Sequence, residues 1–298
     1  MIHPGGDALQ AEELQVECTV DARKLTARGR VDLTQARIAG SLNLDGADLD
    51  GTRTPAAGPD GHRLIALDGD GMAIGGGLSC SGGFRAEGAI RFADARIGTF
   101  ADFTGAHLRN PGGQALDAAG ATIGRGLQCG RGFTAEGEVT LIGPNIGRHL
   151  YLNDATLSAP GGRALAAWQL KVRELYLRPR KAPGGTVDLR HARIGVLRDA
   201  PETWSRRRQD GLVYDALDPM LPAARRLAWL SADSDGYVPC RSRTSSSPPT
   251  TDGWGKMRTR ARSCWPSSGD GARREPHGCD RLAERRDAKR SRPDGTAP

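Results

Sequence analysis

Aromatic residues make up only 5% of this 298-residue chain, too few for the thick core of an ordinary globular domain, where Phe, Tyr and Trp carry much of the buried area. No run of about 18 apolar residues occurs and no signal peptide opens the chain. The reading therefore expects no membrane-spanning helix and takes a cytoplasmic protein as its default, with peripheral membrane association as the alternative. The six cysteines, Cys18, Cys80, Cys129, Cys240, Cys264 and Cys279, include no Cys-x-x-Cys pair, which excludes the commonest zinc and redox signatures. A charge surplus is also missing from most of the chain. The net charge of +7 arises in residues 241 to 298, which hold 14 Lys or Arg against 7 Asp or Glu, leaving 28 of each sign in residues 1 to 240. A neutral scaffold has no net basic field for nucleic acid, so nucleic acid is not an expected partner.

What the chain does have is glycine, 41 residues of it, and a repeat. The stretch from Ile74 to Leu116 recurs from Ile123 to Leu165 without insertion, every matched pair 49 residues apart. Cys80 and Cys129, Phe84 and Phe133, Glu87 and Glu136, and Pro111 and Pro160 are such pairs. A repeat of this kind is a supersecondary unit that buries its apolar face only by stacking on a neighbour. The unit divides further, because a branched residue recurs at Ile38, Ile74, Ile97, Ile123, Ile146, Val172 and Ile194, with steps of 36, 23, 26, 23, 26 and 22. The long first step holds an insertion of turn formers, Gly51 to Gly61 with Pro55 and Pro59. Around the anchors apolar residues fall two or five apart, as in Val31, Leu33, Ile38, Leu42, Leu44 and Leu49. That spacing belongs to short strands, and coils of about two dozen residues with Gly at the corners predict an all-β, right-handed parallel β-helix.

The five-residue beat of Gln35-Ala36-Arg37-Ile38-Ala39, Asp94-Ala95-Arg96-Ile97-Gly98 and His191-Ala192-Arg193-Ile194-Gly195 resembles pentapeptide-repeat proteins. In that family the central aliphatic residue and the Ala two before it point into a narrow core. The longer phrase, with Gly82-Gly83-Phe84, Ala86-Glu87-Gly88 and Pro111-Gly112-Gly113, is similar over residues 25 to 240 to high-GC actinobacterial repeat proteins often labelled membrane-associated oxidoreductases. The label brings no catalytic motif with it, so it transfers no residues to this sequence.

Four segments are expected: residues 1 to 24 as an N-terminal cap or arm, 25 to 199 as the β-helix, 200 to 240 as a helical C-terminal cap, and 241 to 298 as a disordered basic tail. The cap rests on Asp218 as N-cap, Pro219 at the first helical position, and Leu221, Leu227, Ala228 and Leu230 on one helical face. The tail has no periodicity and is rich in Ser, Pro and Arg. Back-translated with GC-rich codons and read one nucleotide out of register, it can give a string with helical periodicity that continues Asp235 to Pro239, so a frameshift is expected there.

No cofactor site is expected. The string Leu64 to Gly75 carries G-x-G-x-x-x-G but runs into glycines where a dinucleotide site needs a helix. Asp68 and Asp70 precede Gly71 as in a calcium loop, but Ser79 stands where the distal Glu belongs. His107, His149 and His191 have no partner at zinc spacing, so no metal site is expected either. Glu87 and Glu136 are read as repeated turn residues about 10 Å apart, not as a catalytic pair. Cys80 and Cys129 are read as core thiols in one register. Arg37, Arg96 and Arg193 each precede a core Ile and form the one surface feature with binding potential, a discontinuous basic row. The reading is thus a non-enzymatic scaffold that binds a protein partner. The alternative is an enzyme, either an oxidoreductase by family label or a carbohydrate-active β-helix.

Overall fold

The computed structural model describes residues 7–53, 64–200, 207–220, 222 and 224. They build an all-β solenoid of about eight turns, almost without helix, in which every strand pairing is parallel. Each full turn has four short sides, and the strands of a side stack into a column. The first side runs from Leu9–Gln10 through Val31–Asp32 and Ile65–Asp68 to Arg207–Arg208. The second begins with Gln15–Val16 and Arg37–Ile38, the third with Val20–Asp21 and Leu42–Asn43, the fourth with Thr26–Arg28 and Asp48–Asp50. Farther along the chain, long strands such as His107–Asp117 and Thr156–Ala166 bend round a corner and serve two sides.

The branched anchors explain the stacking. Ile38, Ile74, Ile97, Ile123, Ile146, Val172 and Ile194 occupy successive rungs of the second column, each paired with the next, and all are buried. The first side holds Val31, Leu67, Ile90, Leu116, Val139, Leu165 and Val187 in the same way, and the third holds Leu42, Leu78, Ala101, Leu127, Leu150, Leu175 and Leu197. On the second side the residues flanking each inward anchor point out, whereas on the first side Asp32, Ala66, Asp68, Ala115, Asp117 and Asp188 beside the anchors are buried as well.

The fourth side explains why the sequence repeats over two coils and not one. Its inward residues alternate small and large, Ala27, Leu49, Ala86, Leu108, Ala135 and Leu157. Two residues earlier the corner alternates in antiphase, with Phe84 and Phe133 beside the alanines and Ala47, Ala106 and Ala155 beside the leucines. Each coil thus fills the same volume in one of two ways, as a close-packed interior requires. Phe84 and Phe92 both meet Phe103, at ring-centroid distances of 6.4 and 5.8 Å.

Corners are closed by side-chain caps. The buried carboxylates of Asp32 and Asp117 accept the backbone N–H groups of Thr34 and Ala119, both at 3.0 Å, and Asp188 accepts that of Arg190 at 3.2 Å. Ion pairs to Arg30 and Arg190 complete Asp32 and Asp188. These buried acids are therefore structural. The G-x-G-x-x-x-G string is likewise a corner, from the strand Ile65–Asp68 through a turn to the strand Ala73–Ile74.

The solenoid begins earlier than residue 25. Leu9–Gln10, Gln15–Val16 and Val20–Asp21 supply the first rung of three sides, so the segment read as a cap or arm is itself a coil from Leu9 on. At the other end strands continue past residue 199, with Arg207–Arg208 and Val213–Leu217 paired to the preceding rungs. The helix expected from Asp218 to Leu230 lies for most of its length outside the described residues, as do the tail from 241 to 298 and most of the insertion after Gly51. Among the described residues no helix is long and apolar enough to cross a membrane.

Cys80 and Cys129 are fully buried two rungs apart, and burial pushes both thiols well above the usual range. Cys18 is exposed. In a native-state reaction with a thiol reagent, Cys18 should label quickly, and Cys80 and Cys129 only as fast as the coils open. Peptide mapping of the labelled sites checks this, and rapid labelling of Cys80 and Cys129 would remove them from the core.

Candidate functional site

The second side brings the predicted basic row into line. Arg37, Ala73, Arg96, Thr122, Asn145, Lys171 and Arg193 occupy one register position on successive rungs, each just before an inward anchor. Arg37, Arg96 and Arg193 are exposed and share the line, with Ala73 between the first two and three residues between the last two. Lys171 belongs to the same row and was missed, although the signal was present in its place before the anchor Val172.

On the other flank of the anchors lies a bare floor. Gly75, Gly98, Gly124 and Gly147 follow Ile74, Ile97, Ile123 and Ile146 on four successive rungs. A Cβ on Gly98 would stand 2.0 Å from the carbonyl oxygen of Gly75, and one on Gly124 2.1 Å from that of Gly98. Only glycine permits this approach of rung to rung. The result is a shallow groove of about 500 Å³ lined by Arg37, Ala73, Gly75, Arg96, Gly98 and neighbouring residues. A second groove of about 460 Å³ lies farther along the same side, lined by Val172, Arg173, Arg193, Gly195, Val213 and Asp215. All three arginines of the predicted row thus line a groove.

Glu87 and Glu136 are on the fourth side with Arg109 on the rung between them. Arg109 donates to Glu87 at 3.1 Å and to Glu136 at 3.0 Å, and those ion pairs raise its own pKa. The carboxylates are thus members of an exposed charge ladder.

A wider cleft, about 990 Å³, opens between the loops carrying Pro111-Gly112-Gly113 and Pro160-Gly161-Gly162, over the rung from Thr134 to Glu138 that lacks such a loop. Its polar groups are engaged with one another. Arg163 donates to Glu138 at 3.1 and 3.2 Å, Gln114 donates to the hydroxyl of Thr140, and that hydroxyl donates to Glu138. The Arg163 guanidinium also lies 5.0 Å from the ring centre of Trp168.

The third side carries a surface cluster that the sequence did not signal. Phe100 and His149 lie 5.7 Å apart, His149 and Tyr176 6.5 Å, and Tyr151 and Tyr176 5.2 Å between ring centres. Partial burial holds the His149 imidazole below its ordinary pKa, and the nearby Arg148 charge acts in the same direction. His107 is instead on the fourth side, its Nδ1 at 2.8 Å from the Thr134 hydroxyl, and His191 is a corner residue with φ of 57°. Among the described residues no group of three or more His, Cys, Asp or Glu is placed to share a metal ion. Compared with protein-family models, with curated proteins and with solved structures, the chain finds no match.

Proposed function

We propose that this protein is a non-enzymatic β-solenoid that serves as a partner-binding scaffold, and that its second side receives a protein partner. The observation that carries the reading is the convergence of Arg37, Arg96 and Arg193, distant in sequence, onto one register line beside a side-chain-free floor. Stacked coils hold such a line rigid, so binding costs little ordering of the scaffold. The four short sides with columns of inward aliphatic residues support the likeness to pentapeptide-repeat proteins, and with it a right-handed coil. The proposal keeps the protein in the cytoplasm, with peripheral membrane contact as the alternative.

The scaffold reading is tested by the ultraviolet-visible spectrum of the purified protein and by titration with nicotinamide and flavin nucleotides. The expected result is a spectrum of protein alone and no saturable nucleotide binding. A bound chromophore, or nucleotide affinity in the micromolar range, would replace the scaffold with the oxidoreductase of the resembling repeat proteins.

A further inference from the structure

The basic row breaks at Thr122 and Asn145, the two rungs that follow Arg96. On those same rungs the corner toward the third side carries Arg125 and Arg148, whose backbones are joined by a hydrogen bond of 2.6 Å from the N–H of Arg148 to the carbonyl of Arg125. The next rung brings Lys171 in the row and Arg173 directly after the anchor Val172, and the one after it Arg193. Five successive rungs, from Arg96 to Arg193, therefore each hold a cation. All six side chains are exposed. Among the described residues none of them forms an ion pair, whereas Arg30, Arg91, Arg109, Arg163, Arg190 and Arg198 on other parts of the surface all do.

We propose that this path of cations is the docking site for a short acidic polypeptide segment, extended along the solenoid axis over the glycine floor. The proposal rests on the partner-binding reading above and names the partner's chemistry. Four steps between rungs span roughly 19 Å, which an extended chain covers with about six residues. Gly98 and Gly124 line the first groove without side chains to fill it, and five of the six cations are arginines, whose forks match carboxylates in two-pronged fashion. Two acids stand nearby. Glu174 is engaged by Tyr176 and Arg198, and Asp215 lies beside Arg193 at the end of the second groove. A short segment fits better than a nucleic acid, because residues 1 to 240 carry 28 charges of each sign. A long polyanion leaving the path would meet no compensating field.

The test titrates the full-length chain at low ionic strength with fluorescein-labelled hexaglutamate and, in parallel, with an oligothymidylate of similar length. Hexaglutamate should bind, and added salt should weaken it. The double variant Arg125→Glu/Arg148→Glu should weaken binding by about tenfold, as two attractions become repulsions. Arg96→Glu/Arg193→Glu, on the same path but sharing no residue with the first pair, should do the same. Reversal of Arg273 and Arg274, far along the chain, should leave binding unchanged. Retained melting temperatures establish that the variants fold. The proposal fails if hexaglutamate does not bind, if the two path variants bind as the parent does, or if only the Arg273 and Arg274 reversal matters. It fails equally if oligothymidylate binds more tightly through the same arginines. Tighter oligothymidylate binding would also replace the protein partner on the second side, while the other failures leave the scaffold reading standing, which falls to a bound chromophore or nucleotide.

Discussion

Replacing Ile146 with Asp should unfold the middle of the solenoid, at a cost of about 4 kcal/mol or more. Ile146 is 1% exposed and sits between Ile123 on one rung and Val172 on the next. A carboxylate there has no cation and no donor within an aliphatic stack, so it must either take up a proton against its normal pKa or drag its rung out of the column. Each coil is held by its two neighbours, so losing one rung removes contacts on both faces of it. The control is Asn145→Asp, one residue earlier and exposed, which should change stability by no more than about 0.5 kcal/mol. Urea unfolding followed by far-ultraviolet circular dichroism measures both. Equal midpoints for Ile146→Asp and the parent would mean that the column register is wrong.

The second large effect is expected from Gly98→Val. Its Cβ would stand 2.0 Å from the Gly75 oxygen, well inside any contact distance, and the obstacle is backbone that is itself part of a ladder. Relief requires two rungs to separate, which breaks backbone hydrogen bonds such as Gly98 N–H to the carbonyl of Ile74 at 2.8 Å. The expected loss is about 3 kcal/mol or more, from overpacking and lost ladder bonds together. Gly143→Ala makes the contrast, because nothing lies within 4 Å of its Cβ and only the left-handed φ of 67° resists. That change should cost about 1 kcal/mol. If the two substitutions prove equally mild, the glycine stack is not a steric requirement.

The column of branched anchors was legible in the sequence because each anchor recurs with the coil length and has small neighbours. The basic row followed from it, since a residue adjacent to an anchor must point outward. Comparing repeat copies also has a blind spot. Arg109, which neutralises Glu87 and Glu136, has Ser158 as its counterpart 49 residues on, so it left no repeated trace. The aromatic cluster was hidden for a related reason. Phe100, His149 and Tyr176 meet only once three coils of unequal length are stacked in register. The first coil was read as a cap or arm because Val16, the counterpart of the later anchors, lacks the Ala and Gly that frame them, and pairing to Ile38 overrides its weak local signal.

The antiphase of Phe and Ala on the fourth side limits how such a gene can grow or shrink. Removing the coil that carries Ala106 and Leu108 would set the Phe84 corner directly against the Phe133 corner and Ala86 against Ala135, crowding one edge of the core and hollowing the side beside it. Removing two coils restores the alternation. Recombination that changes length by an even number of coils therefore passes the packing test, and an odd change fails it. The 49-residue period is in that sense a quantum of inheritance: the shortest piece of chain that can be copied or lost with the core still closing on itself.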